Sequence, residues 1–494
     1  MQRLSLLAAV LLPLVAHAES PKVDVKALYQ QHCQSCHAPG RLGAQGPALL
    51  PESLARLPQK AAVQVIRDGR PATQMPAFAA QLSSTQIDQL AAYLYQPPAE
   101  PPHWDEAAIR ASHTVFTPRA ELPAKPVFNA DPLNLFVVVE SGNHHINILD
   151  GDRFEVITRF PTHYALHGGP KFSPDGRFVF WASRDGWVTQ YDLWNLKPVA
   201  QIRAGINTRN IASSQDGRYL MVANYLPNSL VVLNAEDLSL NRIIEVKDQQ
   251  GTPSRVSAVY TAPPRNSFIA ALKDVEEIWE IPYDQTDMPL RRIRAGDYLD
   301  DFSFDPDYRH LLATSRDSHG GQVIDLDAGK VIKKIPLKGM PHLGSGITWQ
   351  WQGRPVMATP NIQQGQLSVI ALDNWQIVKE IPTEGPGFFL RSHANSPYAW
   401  TDVFFGPNQE VVQVIDKANL SVAKTLRPMP GKNAAHVEFD RYGKHVLLSV
   451  WDKDGALIIY NADTLEEIKR LPMNKPSGKY NVFNKINYAE GTSH

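Results

Sequence analysis

From residue 148 onward, one strand–turn–strand unit recurs along this chain and narrows its fold more than any other feature. The turn is visible at Ile148-Leu149-Asp150-Gly151, Tyr191-Asp192-Leu193, Val232-Leu233-Asn234 and Ile281-Pro282-Tyr283-Asp284. It returns at Val323-Ile324-Asp325-Leu326, Ala371-Leu372-Asp373-Asn374, Val414-Ile415-Asp416-Lys417 and Ile459-Tyr460-Asn461-Ala462. These eight copies are spaced by about 41–50 residues, the length of a four-stranded propeller blade. An alternating strand follows each, as in Lys330-Val331-Ile332-Lys333-Lys334-Ile335. A second element keeps phase with the first: Ser173-Pro174-Asp175-Gly176-Arg177, Ser214-Gln215-Asp216-Gly217-Arg218 and Asp440-Arg441-Tyr442-Gly443-Lys444 are tight turns opening apolar strands. No long amphipathic helix interrupts the pattern. Residues 113–494 are therefore expected to form an all-β, eight-bladed propeller, with a seven-bladed ring carrying one decayed repeat as the alternative. Either ring leaves a central axis on which loops from several blades converge.

The 494 residues suit two or three domains. The first eighteen read as a signal peptide: Arg3 supplies the positive end, an apolar stretch follows, and Ala16-His17-Ala18 presents small residues for cleavage. The stretch is too short to span a bilayer, and no later apolar run reaches about 18 residues. A soluble, exported protein without a membrane span is expected, in a bacterium located in the periplasm.

Only two cysteines occur, and they lie close together in Cys33-Gln34-Ser35-Cys36-His37. A disulfide framework is excluded. Two thiols one helical turn apart suit thioether bonds to the vinyl groups of a haem, with the next histidine against the iron. A redox dithiol and half of a zinc site are the rivals, but no second cysteine pair completes zinc. Downstream, Met75-Pro76 sits in a proline-flanked loop, placing a thioether where a second axial ligand is needed. Residues 82–95 then read as a helix capped by Ser83 or Ser84, with Ile87, Leu90, Ala91 and Leu94 on one face. The order resembles a class I cytochrome c, a small all-α domain assigned to residues 19–96, with one covalent haem c on Cys33 and Cys36 ligated by His37 and Met75. The proline-rich Gln96-Pro97-Pro98-Ala99-Glu100-Pro101-Pro102 marks a linker, taken as residues 97–112.

Function on the ring must come from residues that break the blade pattern. His167, His342, His393 and His436 do so, each in a Gly-, Pro- or polar-rich loop of a different blade. Imidazole ligates iron or moves protons near neutral pH, whereas a lone loop histidine is more often solvated or hydrogen-bonded. His32, His144, His145 and His163 take that second reading. Arg184, Arg209 and Arg255 sit where polar loops meet strands and suit carboxylates, with surface ion pairing as the alternative. With 49 basic and 50 acidic residues the net charge is −1, and no basic run offers a nucleic-acid surface.

The combination of haem-binding domain and ring, with His167-Gly168-Gly169-Pro170-Lys171-Phe172-Ser173-Pro174-Asp175-Gly176-Arg177, Ser183-Arg184-Asp185, Pro341-His342, His393-Ala394-Asn395-Ser396 and the closing residues 476–484, resembles the cytochrome cd1 nitrite reductase family across the mature chain. That resemblance implies a propeller carrying haem d1, with His167 as the proximal iron ligand and His342 and His393 as distal histidines. It also implies Arg184, Arg209 and Arg255 around the macrocycle, holding its carboxylates. Three departures stand out: the chain begins directly on its haem c helix, its propeller loops are trimmed, and His436 stands where a reductase has glutamine.

This pattern is similar to the paralogous dihydro-haem d1 dehydrogenase branch of the family. The branch implies oxidation of a propionate side chain of dihydro-haem d1 to acrylate, the last step of haem d1 biosynthesis in denitrification, with electrons passing to haem c. His342, His393 or His436 then supplies the base or the sixth iron ligand. A soluble electron acceptor and a cytochrome cd1 nitrite reductase receiving haem d1 are the implied partners. Nitrite reduction by this chain, or non-catalytic haem d1 carriage, are the alternative functions.

Overall fold

The computed structural model describes residues 24–43, 46–54, 57–69, 75–100, 102–163, 166, 168–315, 320–488 and 490–492. The signal segment and His167 lie outside the described residues.

The Asp or Asn common to the repeats makes the same local bond in blade after blade. Asp150 Oδ1 accepts the backbone N–H groups of Asp152 and Arg153 at 2.8 and 3.1 Å, and Asp325 Oδ1 those of Asp327 and Ala328 at 2.9 Å each. Asn461 Oδ1 does the same for Asp463 and Thr464 at 2.9 Å. These side chains replace a strand partner for the N–H groups at the bend, so the chain reverses into the outermost strand of each blade. The second turn places Gly176, Gly217 and Gly443 at φ values of 74°, 72° and 70°, the left-handed region that glycine enters without strain.

Eight sheets result, and eight blades close the ring. Counting from the chain's first complete sheet, the inner strands of blades 2 to 8 are Lys171–Phe172, Asn207–Ser213, Val256–Ala262, Asp301–Phe304, Ile347–Trp351, Leu390–Ser392 and Ala434–Phe439. The inner strand of blade 1, Pro476–Asn481, comes from the far end of the chain. It pairs antiparallel with Leu135–Glu140, Val137 opposite Tyr480, so the two ends of the ring are joined by backbone hydrogen bonds. The blades hold together through apolar side chains packed between neighbouring sheets, with Trp279 and Trp400 fully buried.

The N-terminal helices are α1 (Val25–His32), α2 (Gln34–His37), α3 (Pro51–Leu54), α4 (Gln59–Asp68) and α5 (Ser84–Leu94). Ser83 caps α5 in a capping box with Gln86, and Ile87, Leu90, Ala91 and Leu94 are buried on the expected face. They pack with Tyr29 and Phe78, and half-buried Met75 joins the same cluster. Arg41 closes the far end of α5, its guanidinium donating to the carbonyls of Tyr93, Leu94 and Gln96 at 2.9, 3.0 and 3.0 Å.

The segment after the prolines forms a further helix, α6 (Glu106–Ala111), whose Ile109 packs into the core of blades 2 and 3. The helical unit rests on the ring through Ala48 and Leu50 against Ile206. Asn207 Nδ2 donates to Ser53 Oγ at 3.1 Å across this seam. A last helix, α7 (Val482–Ile486), follows the closing strand, and Gly491 O beyond it accepts the N–H of Ser392 at 2.9 Å. No helix among the described residues is long and apolar enough to cross a membrane.

Candidate functional site

In the helical unit, Cys33 joins α1 to α2 and Cys36 lies one turn further on. Neither thiol is in a disulfide, and burial pushes that of Cys33 up to about 11. A thiol held protonated in this way is a poor redox dithiol. His37 is buried, and its Nδ1 lies 2.8 Å from the carbonyl oxygen of Pro47. A carbonyl only accepts, so Nδ1 carries the proton and Nε2 presents its lone pair, the tautomer a metal ligand needs. A Cβ at Gly46 would lie 2.4 Å from His37 Cε1, so only glycine lets the loop support the ring so closely. Two thiols one turn apart, an aligned imidazole and Met75 in the neighbouring apolar cluster fit a covalent haem.

On the ring, an axial cavity enclosing about 1340 Å³, its mouth included, is lined by residues from all eight blades. It lies at the end where the inner strands begin. His342 precedes its strand, and Nδ1 donates to Phe388 O at 2.7 Å while the two rings stack at 3.9 Å. By the same argument as for His37, Nε2 holds the lone pair, 3.7 Å from Asp301 Oδ2. Burial lowers the pKa of His342, keeping it neutral and able to ligate.

His436 is 1 % exposed, yet neither ring nitrogen has a hydrogen-bond partner among the described residues. Burial first, then the charges of Lys479, Arg391 and Lys485, hold its pKa well below the usual value, so the ring is a neutral base. Two orphaned nitrogens in a buried wall indicate groups meant for a ligand.

Four cations line the cavity, Lys171, Arg209, Arg391 and Lys485, against one carboxylate, Asp301. Burial lowers Lys171 to about 8 and Lys485 to about 7. Arg391 is 4 % exposed with its Nε unpartnered, and the buried indole nitrogen of Trp451 is unpartnered too. Phe388, Phe389, Phe404 and Trp451 form an aromatic wall beside His436. The cavity therefore suits a bulky ligand with apolar body and several carboxylates, such as a substituted tetrapyrrole.

Three of the residues that the resemblance implied around the macrocycle, His393, Arg255 and Arg184, are not in the lining of this cavity. His393 follows its inner strand instead of preceding it, so the strand carries it away from the cavity mouth. Its Nδ1 accepts the N–H of Asn395 at 3.1 Å, and its ring packs against the blade 8 turn at Gly443 and Phe439. Arg255 is held bidentately by Asp274, with Nε 2.8 Å from Oδ2 and Nη2 2.5 Å from Oδ1, which leaves it ion-paired instead of lining the cavity. Arg184 is half-buried in the turn between the second and third strands of blade 2 and also does not line the cavity, whereas Arg209 does.

The histidines read as incidental also differ in detail. His163 stacks on Trp187 at 4.7 Å and bonds Gln201 Oε1 at 2.9 Å, and His144 and His145 are half-buried. Sequence reasoning passed over Lys171, Arg391, Tyr480 and Lys485, although Lys171, Tyr480 and their neighbours belong to the motifs that carried the family resemblance.

These features define a class: a two-domain redox protein that joins a c-type cytochrome to a propeller built to receive a large anionic ligand. The chain belongs to the cytochrome D1 heme domain family, whose pattern matches residues 130–485. Residues 22–94 match the family described as cytochrome C oxidase, cbb3-type, subunit III. A dihydro-heme d1 dehydrogenase of Pseudomonas aeruginosa is 63% identical over 480 residues, covering 97% of each chain. A nitrite reductase of Stutzerimonas stutzeri is 25% identical over 538 residues, covering 96% of each. Among solved structures, dihydro-heme d1 dehydrogenase NirN in complex with DHE superimposes with a TM-score of 0.87 at 63% identity, covering 93% of this chain and 99% of that one.

Proposed function

We propose that this chain is a dihydro-haem d1 dehydrogenase that desaturates one propionate side chain of its substrate to acrylate. The observation that carries this reading is His436, a buried neutral imidazole in the wall of a cationic cavity, with neither ring nitrogen hydrogen-bonded among the described residues. Identity of 63% to a dehydrogenase against 25% to a nitrite reductase supports it over nitrite reduction.

Conversion of CH2–CH2 to CH=CH removes two protons and two electrons. His436 is the base that accepts a substrate proton, and the aromatic wall excludes water around it. His342 offers Nε2 to the substrate iron from one blade, and His167, outside the described residues, is assigned to the same iron from its loop before blade 2. Arg209, Arg391, Lys171 and Lys485 bind the carboxylates and set which side chain meets His436. A haem held by Cys33, Cys36, His37 and Met75 would supply a one-electron acceptor, so the two electrons would leave in two successive transfers to a soluble carrier, with the second proton released to solvent at the cavity mouth. The signal segment supports a periplasmic location for the mature protein, with a cytochrome cd1 nitrite reductase as the proposed recipient of the finished haem d1 in denitrification.

Incubation with dihydro-haem d1 and a one-electron oxidant is expected to yield an extracted tetrapyrrole lighter by two hydrogens. An unchanged mass would sink the proposal in favour of a carrier, and nitric oxide production from nitrite would favour a reductase.

The lysines add a pH dependence. Depressed to about 8 and about 7, Lys171 and Lys485 lose their charge as pH rises through that window. A bound carboxylate raises both, so binding takes up protons and affinity falls above about pH 7, by up to about tenfold per pH unit for each proton. Dissociation constants measured from pH 6 to 9 should show this decline, and methionine at both positions should flatten it.

A further inference from the structure

His436 adopts a backbone conformation that a non-glycine residue does not choose unaided. Its φ is 57°, in the left-handed region, at a bulge where the strand register shifts between Ala435 and Val437. Such a conformation is strained and persists where the surroundings impose it. Without the bulge, the two-residue alternation of the strand would set the ring's direction.

The surroundings here are two fully buried side chains, the carboxyl group of Asp402 and the amine of Lys479. Asp402 Oδ2 accepts the N–H of His436 at 3.2 Å. Lys479 Nζ donates to the carbonyl of the same residue, and also to Ser449 Oγ at 2.7 Å. Both flanking side chains are 0 % exposed, and a lone buried charge is among the most costly groups in a protein interior. Lys479 reaches His436 from the ring-closing strand of blade 1, and Asp402 from the second strand of blade 7, so the peptide is gripped from both neighbouring blades.

Asp402 does more than this. Its Oδ1 accepts the N–H groups of Phe388 and Phe389 at 2.8 and 3.0 Å. Phe388 is the residue whose carbonyl takes the Nδ1 proton of His342 and whose ring stacks on that imidazole. Phe389 in turn packs its ring on His436 at 4.6 Å. One carboxylate thus ties together the backbone segments that support both histidines.

We infer that Asp402 and Lys479 form a backbone clamp that aims His436 into the cavity, and that Asp402, through Phe388, sets His342 in register with it. Both are positioning residues, acting through the histidines. The inference rests on His436 being the base.

Lys479→Met keeps the stem and removes the donor. Asp402→Asn keeps an acceptor for Phe388 and Phe389 but turns an amide donor toward the N–H of His436. In the full-length protein carrying its haem, each is expected to lower kcat about 10–100-fold, the scale of a catalytic group displaced by about 1 Å, with the Kd for dihydro-haem d1 within about threefold of wild type. In a His436→Ala background, Lys479→Met should not reduce the residual single-turnover rate further, because the group it aims is gone, whereas Asp402→Asn keeps only the effect it exerts through His342. Asp402→Asn should also shift the visible absorption bands of bound dihydro-haem d1 through His342, while Lys479→Met leaves them in place. Unchanged kcat in both variants, or a Lys479→Met loss that adds to that of His436→Ala, would overturn the clamp, and an unshifted spectrum in Asp402→Asn would overturn the His342 limb. If Lys479→Met does not fold, the near-isosteric Asp402→Asn carries the same test. Wild-type turnover by His436→Ala itself would instead refute the reading of His436 as base.

Discussion

His436→Ala is expected to reduce oxidation of dihydro-haem d1 by about 10²–10⁴-fold, the range contributed by a positioned general base. The side chain is neutral because burial and the surrounding cations disfavour its imidazolium form, and carboxylates bound to those cations would offset their charge and raise its proton affinity. Removing it leaves Arg209, Arg391, Lys171 and Lys485 to hold the carboxylates, so the substrate should still bind within about a few-fold of wild-type affinity. The check is single-turnover mass spectrometry of the extracted tetrapyrrole, read beside a binding titration. Loss of binding together with oxidation would make His436 a substrate anchor, and full oxidation would remove it from the chemistry. His393→Ala is the matching control. That ring packs against the blade 8 turn, outside the cavity, so its loss should affect stability more than turnover.

The second large effect concerns the electron exit. With both Cys33 and Cys36 replaced by serine, no thioether can form. The purified chain should show no haem on a denaturing gel and an intact mass lower by one haem. His37 and Met75 then have no tethered iron to ligate, and the small apolar core around Tyr29, Phe78 and Leu90 loses the group it is built to surround. The propeller carries its own core and is closed by the strand pairing of Pro476–Asn481 on Leu135–Glu140, so its circular dichroism and dihydro-haem d1 binding should survive. Desaturation should fall to background when haem c is the electron outlet. Undiminished turnover by the haem-free variant would overturn that role.

How much of this was legible beforehand differs by element. The turns at Asp150, Asp325, Asp416 and Asn461 were readable because an Asx turn depends on one side chain bonding N–H groups two and three residues ahead. The haem-binding helix and the cap of α5 were readable for the same reason, since their bonds lie within a few residues. Residues 106–111 were absorbed into a linker because six residues after a run of prolines carry little helical signal, and their order comes from Ile109 docking on distant blades. The histidines of the ring were visible as departures from the repeat, but not where each faces. His342 and His393 lie at opposite ends of inner strands, and sequence position does not say which end opens to the cavity.

The chain by itself determined its periodicity, its turns, its haem attachment sequence and its family, because each is written in residues close together or repeated in order. Only the tertiary structure decided which side chains meet. It brought Lys479 from the last strand and Asp402 from blade 7 onto the backbone of His436, paired Arg255 with Asp274 away from the cavity, and put Lys171, Arg391 and Lys485 in its wall. Those outcomes depend on ring closure, which joins residues hundreds of positions apart, and on a bulge that turns one histidine against the alternation of its strand.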